Sequence, residues 1–194
     1  MKIKSPAFLI GSIIVITLLF RLLRTALWPE LPNFSPLMAL AFCAGLFLSL
    51  RSGILLAVLP LLLSDFFLNI HYGVTIFGAG EALRLLSYSL AFALGYYFQK
   101  KSWNTGELVT ATLSNAFLFY LITNTGAWFS SPAYTKNLSG WLQALTVGLP
   151  GFPPTWTFFR NSLLSDILFT LLILGVYFAV TNRNKQSAKL SSSH

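Results

Sequence analysis

The sequence predicts an all-α integral membrane protein, a bundle of six transmembrane helices with a short interfacial helix between the fifth and the sixth. The 194 residues are 55% hydrophobic and only 9% charged, whereas an ordinary soluble domain is about 25% charged. The apolar residues fall into six stretches, most of them near the length of about 20 residues that a helix needs to cross a bilayer. No polar stretch is long enough for a second, soluble domain, so residues 1–181 are predicted to form a single transmembrane domain.

The six predicted helices are joined by short connections that contain polar residues, glycine or proline. They cover residues 7–28, 36–50, 53–72, 82–99, 108–129 and 155–180. The first resembles a signal peptide, but no small-residue cleavage site follows it and Arg21 and Arg24 interrupt the region, so it is expected to remain as a helix. Residues 140–149 are amphipathic and too short to cross, which indicates an interfacial or re-entrant segment.

The Lys and Arg residues determine the predicted orientation. With six spans, both termini share one side of the membrane with the second and fourth connections. Eight of the thirteen basic residues then lie on that side: Lys2, Lys4, Arg51, Lys100, Lys101, Arg183, Lys185 and Lys189. Because cytoplasmic segments carry the excess of Lys and Arg, the sequence predicts a multi-pass protein of a bacterial inner membrane with both termini in the cytoplasm. Residues 182–194 are predicted to be a disordered basic tail.

Composition and motifs argue against several functions. The net charge of +8 comes from basic residues scattered at the ends of apolar segments, which is not the basic patch of a nucleic-acid-binding protein. A single cysteine, Cys43, excludes an intramolecular disulfide and a cysteine zinc cluster. Two histidines offer little for a metal site. The chain carries no phosphate loop, HExxH motif or GxSxG motif, so catalytic activity is not expected.

Proline, glycine and aromatic residues concentrate in the segments predicted to face outside, which are residues 28–36, 71–80 and 130–154. Ligand-binding residues commonly collect in such loops on a rigid scaffold, so an external binding site is favoured. Tryptophan also accumulates at the headgroup level of membrane proteins in general. An aromatic belt is therefore the alternative for Trp103, Trp128 and Trp141.

Ionisable residues inside the predicted spans are the most informative feature. At 1.5 Å per residue, Asp65 lies about 9 Å from the outer end of its helix and Asp166 about 16 Å into the sixth helix. Arg21, Arg84 and Arg160 lie in the outer portions of their helices. A charge at membrane depth costs about 2.5 to 3.5 kcal/mol and normally faces protein or water, which predicts a polar cavity open to the outside. Alternatively, the two aspartates pair with Arg84 and Arg160 and only fasten helices together.

The second predicted helix presents a face of small residues. Ala41 and Gly45 stand four residues apart, a spacing that permits another helix to approach closely. The partner helix is either internal or part of a second membrane protein. Cys43 on the same helix is expected to fill space as a small apolar side chain, because nothing near it in the sequence would activate its thiol.

Residues 31–41, Leu-Pro-Asn-Phe-Ser-Pro-Leu-Met-Ala-Leu-Ala, resemble an uncharacterised bacterial family of predicted membrane transport proteins. Its members open with a helix and then carry a Pro-Asn-Phe-Ser/Thr-Pro motif that leads into a helix of small residues. Further similarities are Leu63-Ser-Asp65 with His71, the segment 123–128 and the segment 159–166. The resemblance covers roughly residues 10–180.

That family is similar in size, span number and topology to the S-components of energy-coupling-factor transporters, which capture vitamins from outside and include solitary cobalamin-binding proteins. The resemblance implies a transmembrane energising partner that docks on Ala41 and Gly45, and cobalamin as a candidate substrate rather than a cofactor. The chain departs from the pattern in two respects. S-components usually carry the docking face on their first helix, and cobalamin-binding members can present a loop cysteine to cobalt. Here a cobalt ligand would have to be His71 or Cys43.

Together these features predict a small-molecule binding and uptake protein with an outward-facing pocket and a vitamin-like substrate. The residues predicted to bind the substrate are Asn33, Phe34, Asp65, His71, Arg84, Asn124, Trp128, Arg160 and Asp166. Charged groups would fix the polar edge of the substrate and aromatic side chains would stack on its rings. Expected partners are the substrate, membrane lipid and an energising membrane protein, with no nucleic acid. The alternative is a non-transporting scaffold or assembly partner whose ion pairs only hold helices together.

Overall fold

The computed structural model describes residues 6–75 and 78–191, and the side chains of residues 10–75 and 78–182. Within these ranges the chain forms seven α-helices and no strand. In chain order they are α1 (Pro6–Leu27), α2 (Leu37–Phe47), α3 (Leu50–Tyr72), α4 (Ala79–Gln99), α5 (Thr105–Ser130), α6 (Leu138–Leu145) and α7 (Thr155–Ser191). The all-α class is confirmed, and a short helix, α6, lies where the sequence predicted one between the last two long helices.

Three of the described helices are long and apolar enough to cross a membrane: Ile10–Leu27 in α1, Leu50–Tyr72 in α3 and Thr155–Asn182 in α7. Six spans were predicted, and two physical reasons explain the difference. α2 has 11 residues and is therefore about 16 Å long, roughly half the thickness of a bilayer core. α4 and α5 have 21 and 26 residues, but they mix Ser, Thr, Asn, Tyr and Gly with apolar side chains, which lowers their mean hydropathy.

The surface of the span-forming helices is apolar where it faces away from the bundle. Ile16 on α1 is 66% exposed and Val176 on α7 is 65% exposed, and Leu23 and Leu171 are exposed beside them. Soluble proteins rarely leave contiguous apolar surface of this kind uncovered. Together with the three span-length helices, this surface identifies a helical, membrane-associated protein.

α2 lies at the centre of the bundle and contacts α3, α4, α5 and α7. A Cβ atom added to Gly45 would stand 2.2 Å from the carbonyl oxygen of Phe92, and one added to Gly95 would stand 2.0 Å from the carbonyl oxygen of Phe42. Only glycine permits this approach of two backbones. The Gly45 end of the small-residue face therefore packs on α4 inside the protein, and Ala41 is 0% exposed. Of the two alternatives for this face, the structure shows the internal one, and an external partner could not reach it without displacing α4.

α7 continues through most of the segment that was predicted to be disordered. It ends at Ser191, so residues 182–191 are helical, while residues 192–194 lie outside the described range. Arg, Lys, Gln, Ala and Leu in this stretch all have high helix propensity. The apolar part of α7 is already helical and acts as the nucleus, so each further residue needs only the easier propagation step.

The connections divide the bundle into two ends. The α2–α3 and α4–α5 connections meet at one end, where Nε2 of Gln99 donates to the carbonyl oxygen of Leu48 at 2.8 Å. The longer α1–α2, α3–α4 and α5–α7 connections lie at the other end, where Nδ2 of Asn161 donates to the carbonyl oxygen of Pro32 at 3.0 Å. We call these the short-loop end and the long-loop end.

Candidate binding site

The carboxylate of Asp65, on α3 towards the long-loop end, joins three helices. Its Oδ1 lies 2.5 Å from Nη1 of Arg21 on α1, and its Oδ2 accepts a hydrogen bond from Nε of Arg84 on α4 at 2.9 Å. Arg21 also donates to Oγ of Ser64, the neighbour of Asp65. The Asp65 side chain is only 8% exposed. A charge this deeply buried is stable only when it is paired and hydrogen-bonded, and here both carboxylate oxygens are bound.

Glu81 supplies a second negative charge at the same place. Its Oε1 accepts hydrogen bonds from Nη2 of Arg84 and from Nδ2 of Asn69, the latter at 2.8 Å. Two carboxylates thus balance two guanidinium groups. We call this group the charge cluster; its members are Arg21, Asp65, Glu81 and Arg84.

Two more ionisable side chains beside the charge cluster each have a buried atom without a hydrogen-bond partner. Nε of Arg24, one turn along α1 from Arg21, is buried and has no hydrogen-bond partner among the described residues. The same holds for Oδ2 of Asp166 on α7, whose residue is 3% exposed. Buried polar atoms without partners are uncommon, and each costs about 1 to 3 kcal/mol, more when charged. A ligand that supplied the missing partners would recover this free energy.

Arg24 and Asp166 line the same small cavity, which has a volume of about 50 Å³ and which we call the inner cavity. Arg21 and Arg84 also line it, but their guanidinium groups are bound to the carboxylates of the charge cluster. Neutral side chains complete the wall: Asn33, Ser35, Met38, Tyr88, Phe119 and Ser162. Arg24 and Asp166 are therefore the lining charges available to a ligand.

A larger cavity of about 440 Å³, which we call the vestibule, adjoins the inner cavity at the long-loop end. The two share Asn33, Arg84 and Phe119 as lining residues. The backbone of Asn33 has a φ of 62°, in the left-handed region that Asn tolerates better than most residues. Burial raises the pKa of the Tyr134 phenol in the vestibule wall above its ordinary value. A volume of this size lies within the range of pockets that bind drug-sized ligands.

A separate groove of about 750 Å³ runs along α4, α5 and α6. Its walls include Leu83, Leu121, Ile122 and Phe129, and its lining contains no ionisable side chain. An apolar groove on a membrane protein is suited to lipid chains. It lacks the convergent polar groups that orient a specific ligand, so the inner cavity and the vestibule form the better candidate site.

Four of the nine predicted substrate-binding residues line these two cavities. Asn33 and Arg84 line both, Asn124 lines the vestibule and Asp166 lines the inner cavity. Asp65 holds Arg84 in place through the 2.9 Å bond. This bond is also the helix-fastening pair that was predicted as the alternative, so Asp65 acts as a support of the site.

Arg160, a predicted substrate-binding residue, lines neither cavity. Its Nε and Nη2 donate to Oδ1 of the adjacent Asn161 at 3.3 and 3.2 Å, and its guanidinium lies over the ring of Trp156. The pairing of Arg160 with Asp166, which the sequence analysis gave as part of the helix-fastening alternative, does not form. Six residues at 100° each place the two side chains about 120° apart around the same helix. Asp166 faces the inner cavity while Arg160 is exposed.

Three other predicted residues do not line either cavity. Phe34 packs in a cluster of phenylalanine rings contributed by α1 and α7. His71 is exposed at the end of α3 and contacts the ring of Tyr72. Trp128 donates from Nε1 to the carbonyl oxygen of Thr135 at 2.8 Å, and so holds the segment after α5. These side chains shape the long-loop end around the cavities.

Several lining residues were missed by sequence reasoning, although helix periodicity carried a signal for them. Residues three or four apart share a face of a helix. This relation connects three lining residues to charges already noted in the sequence: Arg24 to Arg21, Tyr88 to Arg84 and Ser162 to Asp166. It also connects Glu81 of the charge cluster to Arg84. Extending each predicted charge by one turn in both directions would have found these residues.

The fold and the site together define a class, a helical membrane-associated protein with a cluster of buried charges beside two connected cavities. The chain belongs to the Family of unknown function (DUF6580), whose family model matches residues 1–189. Comparison with curated proteins found no match, and comparison with solved structures found none either. The chemistry of the cavities therefore carries the functional proposal.

Proposed function

We propose that this protein binds a small, vitamin-like molecule at the long-loop end and takes it up across a bacterial inner membrane. The observation that carries the proposal is the inner cavity, whose lining includes Arg24 and Asp166, each with a buried atom that has no hydrogen-bond partner among the described residues. A scaffold gains nothing from leaving buried polar atoms without partners, because each such atom lowers stability. A binding protein gains affinity when a ligand satisfies them.

The vestibule gives the ligand an entry route and room for its body. Its volume of about 440 Å³ favours a substrate of drug-like size. Cobalamin remains in the proposal as the substrate that the resemblance to S-components implies, and it would require the long-loop end to open further. Uptake would follow from a change between outward-open and inward-open arrangements of the helices, with or without a separate energising partner.

We further propose six spans with both termini in the cytoplasm. α4 and α5 are about 31 and 39 Å long at 1.5 Å per residue, enough to cross despite their polar residues. α2 would lie within the membrane, enclosed by its neighbours. The short-loop end carries Arg51 in the first turn of α3 and Lys100 and Lys101 in the α4–α5 connection, which favours a cytoplasmic position for it. The long-loop end would then face outside.

Single-cysteine labelling in intact cells tests this orientation. The native Cys43 is buried, so a membrane-impermeant maleimide should report only on added cysteines. Glu30→Cys in the α1–α2 connection should be labelled in intact cells, and Ser102→Cys in the α4–α5 connection only after permeabilisation. The reverse pattern would overturn the proposed orientation.

A ligand panel tests the function itself. Detergent-solubilised protein is heated with each of a set of vitamins including cobalamin, nucleosides and amino acids, and the melting temperature is recorded. A true ligand should raise this temperature in proportion to the logarithm of its concentration above its Kd. The increase should be lost in Asp166→Asn and kept in Glu30→Gln, which changes an exposed carboxylate in the α1–α2 connection. If no compound shifts the wild-type protein, the proposal fails.

The second candidate function, a non-transporting scaffold, is favoured by one observation. The charge cluster joins α1, α3 and α4 by direct ion pairs, as a purely structural fastener would. The two functions predict different phenotypes for Asp166→Asn, since Asp166 is outside these pairs. Loss of uptake with an unchanged melting temperature favours transport, whereas unchanged uptake favours the scaffold.

A further inference from the structure

At the long-loop end, one basic and one acidic residue of the inner cavity, Arg24 and Asp166, stay outside the charge cluster. Within the charge cluster two carboxylates balance two guanidinium groups. Arg24 and Asp166 are the remaining positive and negative residues of the inner cavity, and they form no ion pair with each other or with any other described residue. The charge cluster is neutral by itself, and Arg24 and Asp166 add one residue of each sign without an ion-pair partner among the described residues.

The space between them suits a small head group. One water needs about 10 to 15 Å³ of such space, so a cavity of about 50 Å³ holds a group of a few atoms and excludes a ring. A ligand with a lone anionic group would leave Asp166 unpaired, and a ligand with a lone cation would leave Arg24 unpaired. A group that carries both charges offers each of these side chains an opposite charge without burying net charge.

We propose that the inner cavity binds the zwitterionic head group of an amino-acid-like ligand. Its carboxylate pairs with Arg24 on α1 and its ammonium group pairs with Asp166 on α7. This inference rests on the proposed function and names the substrate class of the same site. Hydroxyl groups of Ser35, Tyr88 and Ser162 line the cavity and supply further hydrogen-bonding groups around the head.

The body of the ligand extends into the vestibule. Phe119 stands at the junction of the two cavities, and Phe158, Phe152 and Tyr134 line the space beyond it. Aromatic walls favour an apolar or aromatic side group. The substrate class is therefore a free amino acid or close derivative with a large apolar side chain, and L-phenylalanine and L-leucine are suitable probes.

Matched ligand analogues test the inference on the wild-type protein without any mutation. Binding of L-phenylalanine to purified protein is compared with its amide, which lacks the carboxylate, and with its N-acetyl derivative, which lacks the ammonium group. Each analogue should bind roughly tenfold to hundredfold more weakly, the loss typical of one hydrogen bond to a charged group. Equal binding of all three would overturn the inference.

Two variants assign each charge to its partner. In Arg24→Gln the preference for L-phenylalanine over its amide should disappear while the preference over the N-acetyl derivative remains. In Asp166→Asn the preference for L-phenylalanine over its N-acetyl derivative should disappear while the preference over its amide remains. A variant that merely fails to fold loses all binding and cannot show this pattern. Glu30→Gln and Arg51→Gln, which alter exposed charges outside both cavities, should keep both preferences.

The outcomes separate this inference from the function on which it rests. If a vitamin or nucleoside binds and no zwitterionic amino acid does, the inference is wrong and the uptake function stands. If nothing in the panel binds, both are wrong. If amino acids bind but Arg24→Gln and Asp166→Asn lose the same preference, the assignment of charges to partners is overturned.

Discussion

Asp65→Asn is expected to destabilise the protein by about 3 kcal/mol. Removing one partner of a buried ion pair costs about 3 to 5 kcal/mol, and the lower end applies here for a structural reason. Asn keeps the shape of the side chain but leaves Arg21, whose side chain is 14% exposed, without a carboxylate. Arg84 is 29% exposed and retains Glu81 as a partner, so the penalty falls mainly on one arginine.

Reversible unfolding in mixed micelles measures this loss. The detergent is titrated with sodium dodecyl sulfate, and the fluorescence of the five tryptophans reports the folded fraction. The matched control is Glu107→Gln, because the Lys101–Glu107 pair is 3.3 Å long with side chains 47% and 35% exposed, and water screens such a pair. Glutamine at this position also preserves the helix cap. If both variants lose the same free energy of unfolding, the charge cluster does not hold the three helices together.

Three further outcomes follow from single contacts. Gly95→Ala should lower the free energy of unfolding by at least about 2 kcal/mol, a cost typical of forcing extra atoms into a packed core, because the new Cβ would stand 2.0 Å from the carbonyl oxygen of Phe42. The control is Gly175→Ala, whose new Cβ meets nothing within 4 Å. Equal thermal unfolding of the two variants would contradict the packing of α2 on α4. Trp128→Phe removes the indole N–H that donates to the carbonyl oxygen of Thr135. The variant should be cleaved faster by proteases within residues 131–137, while its melting temperature changes little. An unchanged cleavage rate would show that this hydrogen bond does not order residues 131–137. The backbone N–H of Asn104 and the ammonium of Lys101 lower the pKa of Glu107 from 4.5, so its contribution to stability is complete above that pH and is lost as the pH falls through the lower folded value. The stability difference between the wild type and Glu107→Gln should therefore shrink below pH 4.5, and a constant difference would exclude this coupling.

Features that depend on local sequence were predictable. Long apolar runs separated by polar residues located all the long helices. In lipid a segment must pair its own backbone N–H and C=O groups, and a helix does so. The ion pair of Asp65 with Arg84 was predictable as well, because charges inside apolar segments must find partners. The short helix α6 followed from an amphipathic stretch that ends near a proline-rich turn.

Features that depend on which face of a helix turns into the bundle were missed, because packing against the other helices decides this and helix periodicity carries only part of the signal. Arg160 and Asp166 were predicted to share a site, but their angular separation on α7 directs them to different surroundings. Arg24 served only as evidence against a signal-peptide cleavage site, although it lines the inner cavity. The aromatic residue Trp128 was predicted to contact a substrate and instead holds a backbone carbonyl, since nothing in its sequence context distinguishes these roles.

The binding of a small molecule beside Asp166 is tested most directly by mass spectrometry of the molecules that co-purify with the protein. Wild-type protein and Asp166→Asn are purified in parallel, denatured, and the released small molecules are compared, with Glu30→Gln as a control. A binding site at the inner cavity predicts at least one released molecule that is abundant in the wild type and Glu30→Gln and depleted in Asp166→Asn. The same set of molecules in equal amounts from all three proteins would contradict it.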